Sequence, residues 1–147
     1  MLRTLEKSDL PQIVLIEKLT QLSPWSLDIF ERCLEVGYFG WVIEEENRIK
    51  GFVLLSLQVG EGHILNICVH PDFQRQGIAQ NLLSYTLDMA KSKGATIVLL
   101  EVRKSNKAAI ALYEKMDFIQ IGDRKAYYPL GSGREDALIF AKDLTVQ

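Results

Sequence analysis

Two hydrophobic rhythms divide the chain. Behind a short apolar stretch from Leu2 to Leu5, apolar residues at Leu10, Ile13, Val14 and Ile16 recur with helical spacing, which predicts a strand and then a helix with Ser8 as its N-cap. The segment SPWSLDIFERCLEVG predicts a second helix, capped by Ser26 and stopped by Gly37. From Phe39 to Val59 the rhythm shortens. FGWVIEEENRIKGFVLLSLQV predicts two strands about a turn at Glu46 to Arg48, and HILNICV after Gly60 adds another. A helix follows Gly77 and runs to about Lys93, with Gly94 as its stop signal, and TIVLLEV is an apolar run suited to a buried central strand. Asn106 can cap the helix KAAIALYEKM, and two strands close the chain, about Ile119 to Tyr128 and Glu135 to Lys142.

The resulting order is βααβββαβαββ. Its first strands form an antiparallel meander, and the later strand–helix–strand unit implies a parallel crossover. The fold class is therefore α/β (α+β), a mixed sheet covered by helices, with a site expected where the parallel pair opens at its carboxyl ends. No repeat, linker or low-complexity tract interrupts the pattern, so a single domain over 1–147 is expected.

Composition narrows the class. Of 147 residues, 48% are hydrophobic and 24% charged, the balance of a globular protein. A net charge of −2 gives no global reason to expect a nucleic-acid partner. Cys33 and Cys68 lie far apart in apolar contexts without CxxC or Cys/His spacing, which favours buried free thiols over a disulfide or a metal site. No apolar run approaches the ~20 residues of a membrane span, so a cytoplasmic protein without a membrane partner is expected.

The chemistry concentrates in three places. In NICVHPDFQRQGIAQNLL, residues 66 to 83, a strand passes through a glycine-containing loop into a helix that has no capping serine or aspartate. The first N–H groups of such a helix need an acceptor, and QRQGIA has the setting in which they face a phosphate. It lacks the lysine and Ser/Thr of a nucleotide P-loop and the GxGxxG dinucleotide pattern, and a lone glycine there also reads as a simple turn. Glu101 ends the apolar strand TIVLLE, where a parallel sheet presents its site; a solvated strand end is the alternative. Tyr113 lies about two helical turns beyond Asn106 and shares its face, as a half-buried core tyrosine also would. His70, before Pro71, reads as a loop-packing residue first and a proton carrier second, and His63 takes no role.

Taken together, QRQGIA and NKAAIALYEKMDF resemble the acetyl-CoA signature and last helix of the Gcn5-related N-acetyltransferase family. The wider set SPWS, NICVHPDFQRQG, LEVRKSNKAAIALYEKMDF and YYPLGSGREDALIF is similar, over nearly the full length, to its ribosomal-protein-alanine branch. The resemblance implies a mixed sheet of about seven strands with a splayed parallel pair, flanked by about four helices. It also implies acetyl-CoA as co-substrate, no metal, and an N-terminal peptide of the eighteenth small-subunit ribosomal protein as partner, acetylated at its alanine without direct nucleic-acid contact.

Residue by residue, the resemblance places the coenzyme's pyrophosphate on backbone N–H groups of Gln74, Arg75, Gln76, Gly77, Ile78 and Ala79. The pantetheine arm runs along Ile67, Cys68 and Val69 like an added strand, the Val69 N–H meets the thioester oxygen, and Asn106 lies near the thiol end. Glu101 becomes the general base, through water, and Tyr113 the general acid. These residue types suit the two proton transfers, because an α-amine with pKa ~8 must lose a proton before attack and a phenol with pKa ~10 keeps one to give. Direct attack requires no cysteine nucleophile. Trp25 and Tyr128 are the expected substrate contacts, although both also fit core or rim positions. Asp117 stands where the family has glycine, which bears on local stability, and Ala79 replaces a common glycine within the signature. Two other functions stay open: acetylation of a lysine or small amine, and non-catalytic acyl-CoA binding, against which Glu101 and Tyr113 together argue.

Overall fold

The computed structural model describes residues 1–146. Among these residues seven strands form one mixed sheet in the order β1-β2-β3-β4-β5-β7-β6, and four α-helices accompany them. The chain divides into two compact units, Met1–Ser56 with Leu65–Met89, and Leu57–Ile64 with the chain from Ala90 on.

The first unit begins with β1 (Leu2–Thr4), which pairs antiparallel with β2 (Phe39–Glu45), itself paired antiparallel with β3 (Arg48–Gln58). The β2–β3 turn uses Glu46 and Asn47 at φ of 53° and 64°, the left-handed pair that a two-residue hairpin needs to follow strand twist. Helix α1 (Leu10–Thr20) is preceded by a 3-10 turn, Lys7–Asp9, and Ser8 is not its cap. Asp9 organises this start instead, because its carboxylate accepts the Glu6 N–H at 2.7 Å and both terminal nitrogens of Arg3 at 2.8 Å. Helix α2 (Leu27–Glu35) is capped as predicted, with the Ser26 hydroxyl accepting from the Ile29 N–H, and Gly37 follows at φ 84°. Leu10, Ile13, Ile16, Phe30, Val42, Ile49, Phe52 and Leu54 form the core of this unit, with Phe30 edge-on to Phe52. Val14 is only partly buried.

Strand β4 (Glu61–Val69) contributes residues to both units, and helix α3 (Ile78–Ser92) belongs mostly to the first. In the second unit, β4 and β5 (Ile97–Arg103) pair in parallel from Glu61 opposite Ile97 to Ile64 opposite Leu100. Val98, Leu100 and Val102 are buried, so period-two alternation sends Glu101 to the opposite face. Helix α4 (Lys107–Lys115) is capped by Asn106, whose side-chain oxygen accepts the Ala109 N–H at 3.2 Å. Its far end closes with Asp117 at φ 69°, while the Phe118 N–H returns to the Tyr113 carbonyl at 2.9 Å. Aspartate thus occupies the left-handed position that glycine would fill without strain. Strands β6 (Ile119–Leu130) and β7 (Gly133–Asp143) form the final hairpin, with β7 antiparallel to β5.

Candidate active site

In the first unit the signature loop is built from β4 outward. The N–H of Asp72 donates to the His70 ring at 3.1 Å, so this histidine caps the short 3-10 turn Pro71–Phe73, the loop-packing role. Arg48 and Lys50 place their cations 4.8 and 4.9 Å from the Phe73 ring centre and pin the turn to β3. The exposed residues Gln74 to Gly77 then lead into α3, with Arg75 at φ 65° and Gly77 at φ 77°. Alternating left-handed residues turn successive N–H groups to one side, the concave arrangement that attracts anions. Among the described residues, the N–H groups of Arg75, Gln76 and Gly77 have no acceptor. A Cβ built on Gly77 would meet nothing within 4 Å, so the space beside that residue is open. Gly51 does the opposite: a Cβ there would lie 2.9 Å from the Cys68 carbonyl and 3.1 Å from side-chain carbons of Ile78 and Leu82. Its lack of a side chain lets the start of α3 settle on β3 and β4.

Beside this loop, Ile67 and Val69 are half-buried and Cys68 is buried. Burial, and then the Glu17 charge, push the Cys68 thiol up to about 12, so it carries no thiolate near neutral pH and is unsuited to nucleophilic attack. Glu17 is a residue that pattern reading missed. It is 1% exposed, and its carboxyl oxygens accept the Trp25 N–H and the Asn66 side-chain amide, each at 2.9 Å. Gln21 donates to the Cys68 sulfur at 2.9 Å. The network ties the SPWS segment to β4, while the Trp25 ring packs 5.4 Å from Phe30 and stays half-buried. The signal was present: Glu17 sits seven residues after Leu10 on the apolar face of α1, where a charged residue needs buried partners.

The second unit gathers Glu101, Arg124, Tyr127 and Tyr128. Arg124 Nε lies 2.8 Å from Glu101 Oε2. That oxygen is buried and has no well-directed hydrogen bond, so the contact is a close ion pair whose N–H is aimed off the oxygen. Tyr128 lies under the Arg103 guanidinium at 4.6 Å; burial and the Glu101 charge push its phenol up to about 12. Arg103 also holds Glu135 at 3.1 Å, and Ser105 donates to the same carboxylate at 2.9 Å. Tyr113 is buried on α4 against Phe118 and Phe140, at ring distances of 5.8 and 6.2 Å. The two residues expected to move protons, Glu101 and Tyr113, thus belong to the same unit, as do Asn106 and Tyr128.

Residues 1–118 match the acetyltransferase (GNAT) family. The chain belongs to that family. Among its relatives, the [ribosomal protein bS18]-alanine N-acetyltransferase of Escherichia coli strain K12 is 36% identical over 143 residues, 97% of each chain. An N-alpha-acetyltransferase of Saccharolobus solfataricus is 32% identical, covering 97% of this chain and 92% of its own. The crystal structure of the ribosomal-protein-S18-alanine N-acetyltransferase from Escherichia coli superposes with a TM-score of 0.93 at 35% identity, over 100% of this chain and 95% of that one. The protein is a GNAT N-acetyltransferase, and the sheet expected from the resemblance is the sheet observed. Among the described residues no three His, Cys, Asp or Glu side chains cluster as a metal site, and no helix is long and apolar enough to cross a membrane.

Proposed function

We propose that this GNAT enzyme transfers the acetyl group of acetyl-CoA to the α-amine of the N-terminal alanine of ribosomal protein bS18, in the cytoplasm, as one domain over 1–147. The observation that carries the reading is the near full-length likeness, in sequence and in backbone, to the Escherichia coli bS18-alanine enzyme. The loop supports the co-substrate: among the described residues the N–H groups of Arg75, Gln76 and Gly77 lack acceptors, and the space beside Gly77 is open, which fits a diphosphate.

When bound, acetyl-CoA supplies the acetyl thioester. The backbone of Gln74, Arg75, Gln76, Gly77, Ile78 and Ala79 holds the pyrophosphate, main-chain groups of Ile67, Cys68 and Val69 pair with the pantetheine arm, and Asn106 serves its thiol end. The Val69 N–H stabilises charge on the thioester oxygen. Glu101 accepts, through water, the proton that the amine gives up as its nitrogen bonds to the acetyl carbon. The Tyr113 hydroxyl returns a proton to the sulfur as the C–S bond breaks. Trp25 and Tyr128 contact the peptide.

An α-amine titrates about 2.5 units below a lysine amine, so presenting it neutral near pH 7 costs about 3.4 kcal/mol less. The test compares a peptide carrying the N-terminal sequence of bS18 with the same peptide blocked at its α-amine and bearing a free lysine. Selective acetylation of the first is expected. Equal or greater kcat/KM on the blocked peptide overturns the assignment in favour of a lysine acetyltransferase, and no coenzyme A release with either peptide overturns it in favour of another amine or a binding module.

A further inference from the structure

The final hairpin outruns the strand beside it. Strand β5 ends at Arg103, opposite Ala137 of β7, and the Lys104 N–H adds one more link to the Asp136 carbonyl at 3.1 Å. From there the hairpin continues as two strands, with Tyr128 opposite Glu135 and Pro129 opposite Arg134. A two-stranded ribbon is marginally stable by itself, so its position depends on what holds it from outside. Arg103 supplies that hold. Its guanidinium donates to the Pro129 carbonyl at 2.8 Å and to the Glu135 carboxylate at 3.1 Å, and lies 4.6 Å from the Tyr128 ring centre. Ser105 donates to the same Glu135 oxygen at 2.9 Å. The Arg103 and Glu135 side chains are 11% and 10% exposed, so the charge-assisted bond between them is shielded from bulk water. One guanidinium thus meets a main-chain oxygen, a carboxylate and an aromatic face on two other strands, which the planar fork of arginine allows and the single nitrogen of lysine does not.

We propose that Arg103 is a positioning residue for the peptide: by clamping the overhanging hairpin to the end of β5, it holds the Tyr128 hydroxyl ready for the substrate. The inference rests on the reading of Tyr128 as a peptide contact. Among the described residues that hydroxyl has no hydrogen-bond partner, and the ring stands close enough to Glu101 to feel its charge. Period two along β5 puts Arg103 on the same face as Glu101, so the clamp and the carboxylate share one strand. A tyrosine on a loose ribbon would have to be ordered at each binding event, and the freedom lost then would weaken binding. Clamped beforehand, it offers its hydroxyl without that loss. The loop assigned to the pyrophosphate belongs to the other unit, so the clamp should act on the peptide and leave cofactor affinity alone.

The experiment measures steady-state kinetics with the bS18 N-terminal peptide, acetyl-CoA affinity by calorimetry, and amide hydrogen exchange. The proteins are wild type, Arg103→Met, Arg103→Lys, Tyr128→Ala and the double variant of Arg103→Met with Tyr128→Ala. Peptide KM should rise about tenfold in Arg103→Met and less in Arg103→Lys, with acetyl-CoA affinity unchanged. Exchange should quicken at the amides of Tyr127, Tyr128 and Leu130 while the rest of β5 and β7 keeps its protection. The double variant should lose no more kcat/KM than Tyr128→Ala alone, because a residue acting through Tyr128 then has nothing left to position. Losses that add across the two sites, an unmoved KM, or unchanged exchange at the hairpin end overturn the inference. So does exchange that quickens throughout the chain together with weaker acetyl-CoA binding, the mark of a merely structural role. Arg103→Lys keeps a cation beside Glu135 and yields the same readings if Arg103→Met does not fold. Near-native kcat/KM in Tyr128→Ala removes the peptide contact and this inference with it, and wild type that releases no coenzyme A with the peptide removes the bS18 assignment as well.

Discussion

Replacing Glu17 with methionine removes one acceptor pair from the interior and keeps an unbranched side chain of similar length. The Trp25 N–H and the Asn66 amide, each 2.9 Å from a Glu17 oxygen, lose their partners at a site where the side chain is 1% exposed. Stranding a buried polar group costs about 1–3 kcal/mol, so two give about 2–6 kcal/mol. Part of this is returned, because methionine no longer requires a carboxylate to be withdrawn from water among neutral partners. A net loss of about 3 kcal/mol is expected, against a total stability of about 5–15 kcal/mol for an ordinary domain. Glu17→Gln keeps an acceptor for Trp25 and should lose less, about 1–2 kcal/mol. Urea unfolding followed by tryptophan fluorescence measures both, with an unchanged m-value as the check that only stability has moved. The peptide KM should rise in the same order if the SPWS segment carries substrate contacts. A loss below about 1 kcal/mol for Glu17→Met, or a greater loss for Glu17→Gln, would refute the network as the anchor of that segment.

Gly77→Val should weaken coenzyme A binding by calorimetry, because the φ of 77° at this position excludes a β-branched residue and the loop must leave the geometry that presents its N–H groups; unchanged affinity in a folded variant removes the loop from the site. Glu101→Gln and Tyr113→Phe should each keep cofactor affinity and lose about a hundredfold to ten-thousandfold in turnover, and near-native steady-state rates would strip that residue of its role. Gly51→Ala should cost about 1–3 kcal/mol, since the added carbon meets the Cys68 main-chain oxygen, which cannot swing aside; an unshifted thermal midpoint contradicts the close approach. Arg3 holds the Asp9 carboxyl below its usual range, so the pair stabilises the fold above the unfolded-state pKa of about 3.9 and that contribution is lost as pH falls through the lower folded value. The stability difference between wild type and Asp9→Asn should therefore be flat near neutrality and shrink on acidification below about pH 4, and a difference that grows there would reverse the assignment.

The order of elements was legible in the chain because each announces itself locally. Ser26 and Asn106 cap helices through their own side chains, Gly37 and Gly94 supply left-handed exits, and period-two alternation in TIVLLEV turns Glu101 away from its buried neighbours. The entry to α3 without a serine or aspartate before it was likewise visible, since a missing side chain is a property of sequence. Ser8 misled because two acceptors compete within one turn, and Arg3 decides in favour of Asp9 from another element. Tertiary structure alone decided the rest. Glu17 meets Asn66 across 49 positions of chain and Arg124 on β6 meets Glu101 on β5 past the intervening β7, and neither pairing has a local period to reveal it. Propensity and periodicity record what a residue does with its near neighbours. The setting of a carboxylate such as Glu101 depends on which charges the fold carries to it from strands distant in sequence, and that is fixed only when the sheet closes its register.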